Sequence, residues 1–113
     1  MAFLSKTAIL SADDFRYATV PCPEWGGDIR VRGLTAAEQA TIARKVNDKK
    51  ADDIAVVVTI MGCVDTDGNR LFDSGDKDQL KAKSYAVLDR LAKKILELTG
   101  SGDADSIEET KKN

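Results

Sequence analysis

A chain of 113 residues with 17 Lys/Arg against 19 Asp/Glu, a formal net charge of −2, reads as one domain large enough to bury a modest core without disulfide staples. With 42% apolar and 32% charged residues it has a globular composition, and at 5% aromatic its packing must be aliphatic. No basic stripe is present to neutralise phosphates, so no nucleic-acid partner is expected. No apolar run nears the ~20 residues of a membrane span, and the opening residues are too weakly apolar for a secretory signal.

The charge is unevenly placed. Residues 1–98 balance to zero, and residues 99–113 set Asp103, Asp105, Glu108 and Glu109 against Lys111 and Lys112. Cys22 and Cys63 lie in unrelated contexts and read as two buried thiols in a cytoplasmic chain.

Residues 1–14 read as an extended arm or a first short strand. Phe15–Val20 alternates well enough for a half-buried strand. Pro21–Gly27, with two prolines and two glycines, is a turn. Asp28–Arg32 alternates strictly, with Ile29 and Val31 on one face and Arg30 and Arg32 on a solvated one. The two strands form one antiparallel hairpin. Thr35 and Glu38 have the spacing of a capping box, with Leu34 as hydrophobic staple. The helix they open, Ala36–Lys49, carries a thin apolar stripe of Ala36, Ala40, Ala43 and Val46 with Ile42.

Ile54–Val64 contains no charge and must form the floor of the core. Its β-branched residues favour a strand; its length favours a helix. The helix reading runs from about Asp53 to Met61, capped by Asp52 or Asp53, with Gly62 as its C′ residue. Cys63-Val64 and Arg70-Leu71-Phe72 then form a small hairpin around Asp65–Asn69, where Gly68 supplies a positive φ. A short helix follows, capped by Ser74 or Asp76 and anchored by Leu80. Ser84 begins the longest helix, whose stripe is Tyr85, Leu88, Leu91, Ala92, Ile95 and Leu98, widened by Val87 and Leu96. Asp89 faces Lys93 and Arg90 faces Lys94 at i,i+4; Gly100 stops the helix. Residues 101–113 have one apolar side chain larger than alanine, Ile107, and read as a flexible tail with at most a brief turn capped by Asp105 or Ser106. The expected class is α+β: small antiparallel hairpins packed with three to four helices in a domain of residues 1–100, then a disordered acidic C-terminal tail.

Little in this inventory does chemistry. There is no histidine, hence no imidazole base or ligand. Neither cysteine has electropositive sequence neighbours to lower its pKa. Asp65-Thr-Asp67-Gly68 places its glycine too early for a calcium loop, and Gly26-Gly27 lacks the helix and lysine of a phosphate loop. No catalysis, metal or cofactor is expected. The two apolar stripes carry more. Tyr85, Leu88, Leu91, Ile95 and Leu98, with Ile54, Val57 and Val58, either cover each other or present surface to a protein partner or a second copy.

In order and length these parts resemble the tail assembly chaperones of long-tailed bacteriophages. Val20–Leu34 resembles the family's opening hairpin. Val64–Phe72 resembles its central Asp-x-Asp-Gly-x-x-Leu-Phe turn. Tyr85–Leu98, with the Gly/Ser break and acidic tail after it, resembles its close. The resemblance implies a non-enzymatic holdase that binds the tape measure protein, keeps it soluble and recruits tail-tube protein in the host bacterial cytoplasm. It also implies absence from the mature virion, and a frameshifted longer form of the chain, for which Lys111-Lys112-Asn113 permits a slip-prone codon run. The alternative is a structural virion component such as a head–tail connector or tail-completion protein; a third reading is a small ligand- or calcium-binding module.

Overall fold

The computed structural model describes residues 3–47 and 54–100. Within them, α1 (Lys6–Ser11), β1 (Tyr17–Cys22), β2 (Gly27–Arg32), α2 (Ala36–Asn47), α3 (Ile54–Gly62), β3 (Cys63–Val64), α4 (Lys77–Lys81) and α5 (Tyr85–Thr99) follow in order, with 3-10 turns at Pro23–Trp25 and Ser74–Asp76. This is the α+β architecture expected. The caps at Asp52 and Asp53, the end of the second helix beyond Asn47 and the tail 101–113 lie outside the described residues.

The hairpin forms, with its first strand shifted: β1 starts at Tyr17 rather than Phe15, and Pro21, Cys22 and Gly27, read as turn, are paired strand residues. β1 and β2 are antiparallel from Tyr17↔Arg32 to Cys22↔Gly27. Pro21 stands in β1, the outer strand, where a missing ladder donor is tolerated, and its carbonyl accepts from Arg90 Nη1 at 3.1 Å. The second hairpin is not separate: β3 pairs with β2 through Arg30↔Val64 and Val31↔Cys63, giving a sheet of order β1-β2-β3. Its return arm is held by a Val64↔Arg70 bridge and by Leu71 N donating to Cys63 O at 3.0 Å.

α3 is a helix, and its residues from Ala55 to Ile60 are all buried. A helix apolar on every side belongs in the centre of a fold, and there packing against several neighbours outweighs the strand preference of its valines. Thr59 is satisfied inside the core, its hydroxyl donating to Ala55 O at 2.7 Å. The sheet contributes Val20, Cys22 and Val31 to the same core, α4 contributes Leu80, and α5 contributes Val87, Leu88, Leu91 and Ile95. Each such side chain stabilises by roughly 1.5–3 kcal/mol.

Several expectations are corrected. Residues 6–11 are helical rather than extended, because Ser5 caps a turn by accepting from Ala8 N at 3.1 Å. Gly62 is not a left-handed C′ residue; it lies within α3, and a Cβ there would stand 2.5 Å from Ile95 Cδ1. Glycine is needed at that point for close approach of α3 and α5. The alanines of α2 and Val46 face outward, and its buried residues are Glu38 and Ile42. Arg32 is buried at 8% exposure rather than solvated. Arg90 and Lys94 do share one surface, and each finds an acid elsewhere: Arg90 grips Glu24 in a two-pronged pair of 2.9 and 2.6 Å, and Lys94 sits 3.5 Å from Glu97. The Asp89–Lys93 pair forms at 3.0 Å. Asp76 is the N-cap residue of α4 but makes no side-chain cap bond there; the side-chain capping belongs to the 3-10 turn before it, where the Asp73 carboxylate accepts from Gly75 N while Asp76 accepts from Asp73 N.

Candidate protein-interaction site

The most charged feature of the interior lies where β2 meets α2. Thr35 Oγ1 accepts from Glu38 N at 3.0 Å and Glu38 Oε1 accepts from Thr35 N at 2.8 Å, the expected capping box. The same carboxylate also receives both prongs of Arg32 at 3.0 and 3.2 Å and a hydrogen bond from Arg70 Nη2. Arg32 Nη1 donates further to Gly33 O at 2.7 Å, and its guanidinium lies 4.6 Å from the centre of the Phe15 ring. Burial opposes the charge on Glu38. The Arg32, Thr35 and Arg70 donors outweigh it and hold the carboxyl at about 2, below the usual 4.5. A capping box is legible from spacing; Arg32, six residues away, and Arg70, thirty-two away, are not. Arg30 finds a role of its own, donating to the Asp65 and Thr66 carbonyls at 3.2 and 3.3 Å and lying 4.1 Å from the Tyr17 ring centre.

Arg70 leads to the outside. Its side chain is 44% exposed and forms part of the rim of a groove of about 580 Å³ between α2, α3 and the segment after the β3 hairpin. Val57, Ile60 and Met61 give the groove one apolar wall, and Leu71 and Phe72 give the other. Leu71 is 45% exposed there. A second apolar surface lies at the start of the chain: Phe3, Leu4, Ile9 and Leu10 are 98, 74, 55 and 74% exposed, and α1 buries none of its residues.

The residues singled out from the sequence divide between interior and surface. Leu88, Leu91, Ile95 and Val58 are fully or almost fully buried and Val57 nearly so; Ile54 and Leu98 are half-buried; Tyr85 is 67% exposed. The structure brings α3 and α5 face to face, so most of this set covers itself. The open surfaces were missed. The signal for α1 was the pair of apolar doublets Phe3-Leu4 and Ile9-Leu10, too short to show a period. The groove is assembled from three distant segments and has no signal in any one of them.

Both cysteines are buried thiols without a disulfide. Burial, with Cys22 alongside, pushes Cys63 up to about 12. Cys22 does have a cationic neighbour, Arg90, which sequence adjacency could not show; burial still outweighs it and raises the thiol. Among the described residues no cluster of three or more His, Cys, Asp or Glu could hold a metal ion, and no helix is long and apolar enough to cross a membrane.

No sequence-family profile and no curated protein sequence matches the chain. A solved structure does: the bacteriophage HK97 tail assembly chaperone, with a TM-score of 0.65 and 26% identity, covering 86% of this chain and 95% of that one. The resemblance read from the two hairpins and the closing helix is borne out at the level of the whole fold.

Proposed function

We propose that this chain, a structural relative of a phage tail assembly chaperone, is itself one. The carrying observation is the likeness over nearly the full length of the HK97 protein. It binds a tape measure protein, keeps that client soluble and helps recruit tail-tube subunits in the host cytoplasm, and it leaves before the virion is complete. A longer frameshifted product of the same gene works with it. The apolar side chains left in solvent support this reading, since a holdase must offer surface that its own core does not use. Client contact therefore falls to Tyr85, to Phe3 and Leu4 ahead of α1 and to Ile9 and Leu10 within it, while Leu88, Leu91, Ile95, Val57 and Val58 hold the helices together.

Co-expression with the neighbouring tape measure gene tests the proposal. The client should enter the soluble fraction and co-purify only when this chain is present; a client soluble alone overturns it. Mass spectrometry of purified particles should find no copies, whereas a fixed copy number would mark a structural virion component instead.

A further inference from the structure

Two apolar surfaces of the described body lack a partner, and one is an arm while the other is a trough. The arm is residues 3–14. It holds Phe3, Leu4, Ile9 and Leu10 in solvent at 98, 74, 55 and 74% exposure, and α1 buries none of its residues. The trough is the groove of about 580 Å³ walled by Val57, Ile60 and Met61 on one side and Leu71 and Phe72 on the other. The arm does not fill the groove of its own chain, where Leu71 remains 45% exposed.

The arm takes off close to that groove. At its root the Phe15 ring centre lies 4.6 Å from the Arg32 guanidinium. Arg32 shares Glu38 with Arg70, and Arg70 stands on the groove rim. With root and groove side by side, a two-fold axis between two copies carries each arm across to the other's groove. Three extended residues and the six of α1 give the arm a reach of about 19 Å. Its charges suit the rim. Asp13 and Asp14 close the arm, while Lys45 on the rim has no acidic partner among the described residues.

The area decides between one seated arm and two. Burying the exposed parts of these four side chains removes roughly 400 Å² from water, and with the groove side one junction hides about 600 Å². That is the size of a crystal-packing contact. Two arms exchanged reciprocally hide about 1,200 Å², the lower bound of a specific interface. A head-to-tail chain of copies has only the smaller junction at each step.

We propose that two copies of this chain pair by exchanging their arms, Ile9 and Leu10 of each entering the groove of the other against Leu71 and Phe72. A client that takes Ile9 and Leu10 displaces the second copy. The proposal does not rest on the chaperone reading, and its test needs only this chain, so its failure leaves that reading standing.

Sedimentation of the full chain from micromolar to millimolar concentration is the test. The limiting mass should be twice the 12.2 kDa of one chain. An arm variant, Ile9→Asp with Leu10→Asp, and a groove variant, Leu71→Asp, should each raise the dissociation constant at least tenfold. All three positions are exposed, and unchanged circular dichroism shows that the body stays folded. Mixed together, the two variants should associate where neither does alone, because one keeps a sound groove and the other a sound arm. A chain that stays monomeric to millimolar concentration would overturn the proposal. So would a dimer indifferent to either variant, a mass that climbs past two copies, or variants that fail to complement each other.

Discussion

Glu38 is the residue on which most of the polar interior converges. A buried carboxylate facing two guanidiniums stabilises only while it is charged. Its folded pKa of about 2 lies below the usual 4.5, so its contribution is present in full above pH 4.5 and is lost as the pH falls toward 2. Removing it leaves Arg32 buried and unpaired, which costs about 3–5 kcal/mol. Glu38→Gln should therefore unfold at much lower urea than the parent at pH 7, and the gap should close between pH 4.5 and 2. A gap independent of pH would show that the ion cluster is not the cause. Gly62 is the other sensitive position. Gly62→Ala drives a methyl into Ile95, an overpacking expected to cost about 1–3 kcal/mol. Part of that loss should return on adding Ile95→Val, a coupling that thermal melts of the single and double variants measure. Only half of each role was visible in the sequence. The 35/38 spacing revealed the cap, but strict strand alternation sent Arg32 to solvent because a paired charge inside looks the same as a free one outside. Gly62 was recognised as a boundary glycine, and its approach to Ile95 depends on a partner thirty-three residues away.

At the scale of elements, long segments with a clear period were legible and assembled ones were not. α5 was readable because its apolar residues recur over four turns; its first member, Tyr85, was misleading because the stripe runs past the end of the packed face. The two ends of that stripe give a direct comparison. Leu91→Ala removes a fully buried side chain and should cost about 2–5 kcal/mol. Tyr85→Ala should stay within about 0.5 kcal/mol of the parent; its effect, if the client docks there, appears as lost co-solubility of the tape measure protein. Chemical denaturation of both variants beside the co-expression assay separates core from contact. α3 required weighing length against propensity, and length prevailed because neighbours on several sides bury a whole helix more readily than an isolated strand. α1 eluded the reading because nothing in the described body covers it; a local serine cap, rather than tertiary packing, defines it.

For the molecule as a whole, the two thiols report on integrity. Cys22 and Cys63 are both completely buried and both raised by that burial, so neither is a ready thiolate in the native state. A thiol reagent at pH 8 should label the folded chain only as fast as it opens, and at full speed in denaturant. Rapid native labelling of Cys22 would indicate that Arg90 activates it after all. Fold class, hairpin order and the closing helix emerged from pattern alone because each is local. The sheet of three strands, the ion cluster and the groove each join segments twenty to forty residues apart, and no window along the chain contains both sides of any of them.

One detail of β1 bears on how the border of the sheet resists unwanted pairing. At Pro21 the outer strand has no N–H to donate, and the carbonyl is already taken by Arg90. A stray peptide zipping along that border meets a rung with neither hydrogen-bonding hand free. Fibril-like growth from this side is therefore blocked at Pro21, the last residue but one of β1, and contact with other polypeptides must proceed through side chains rather than through backbone templating.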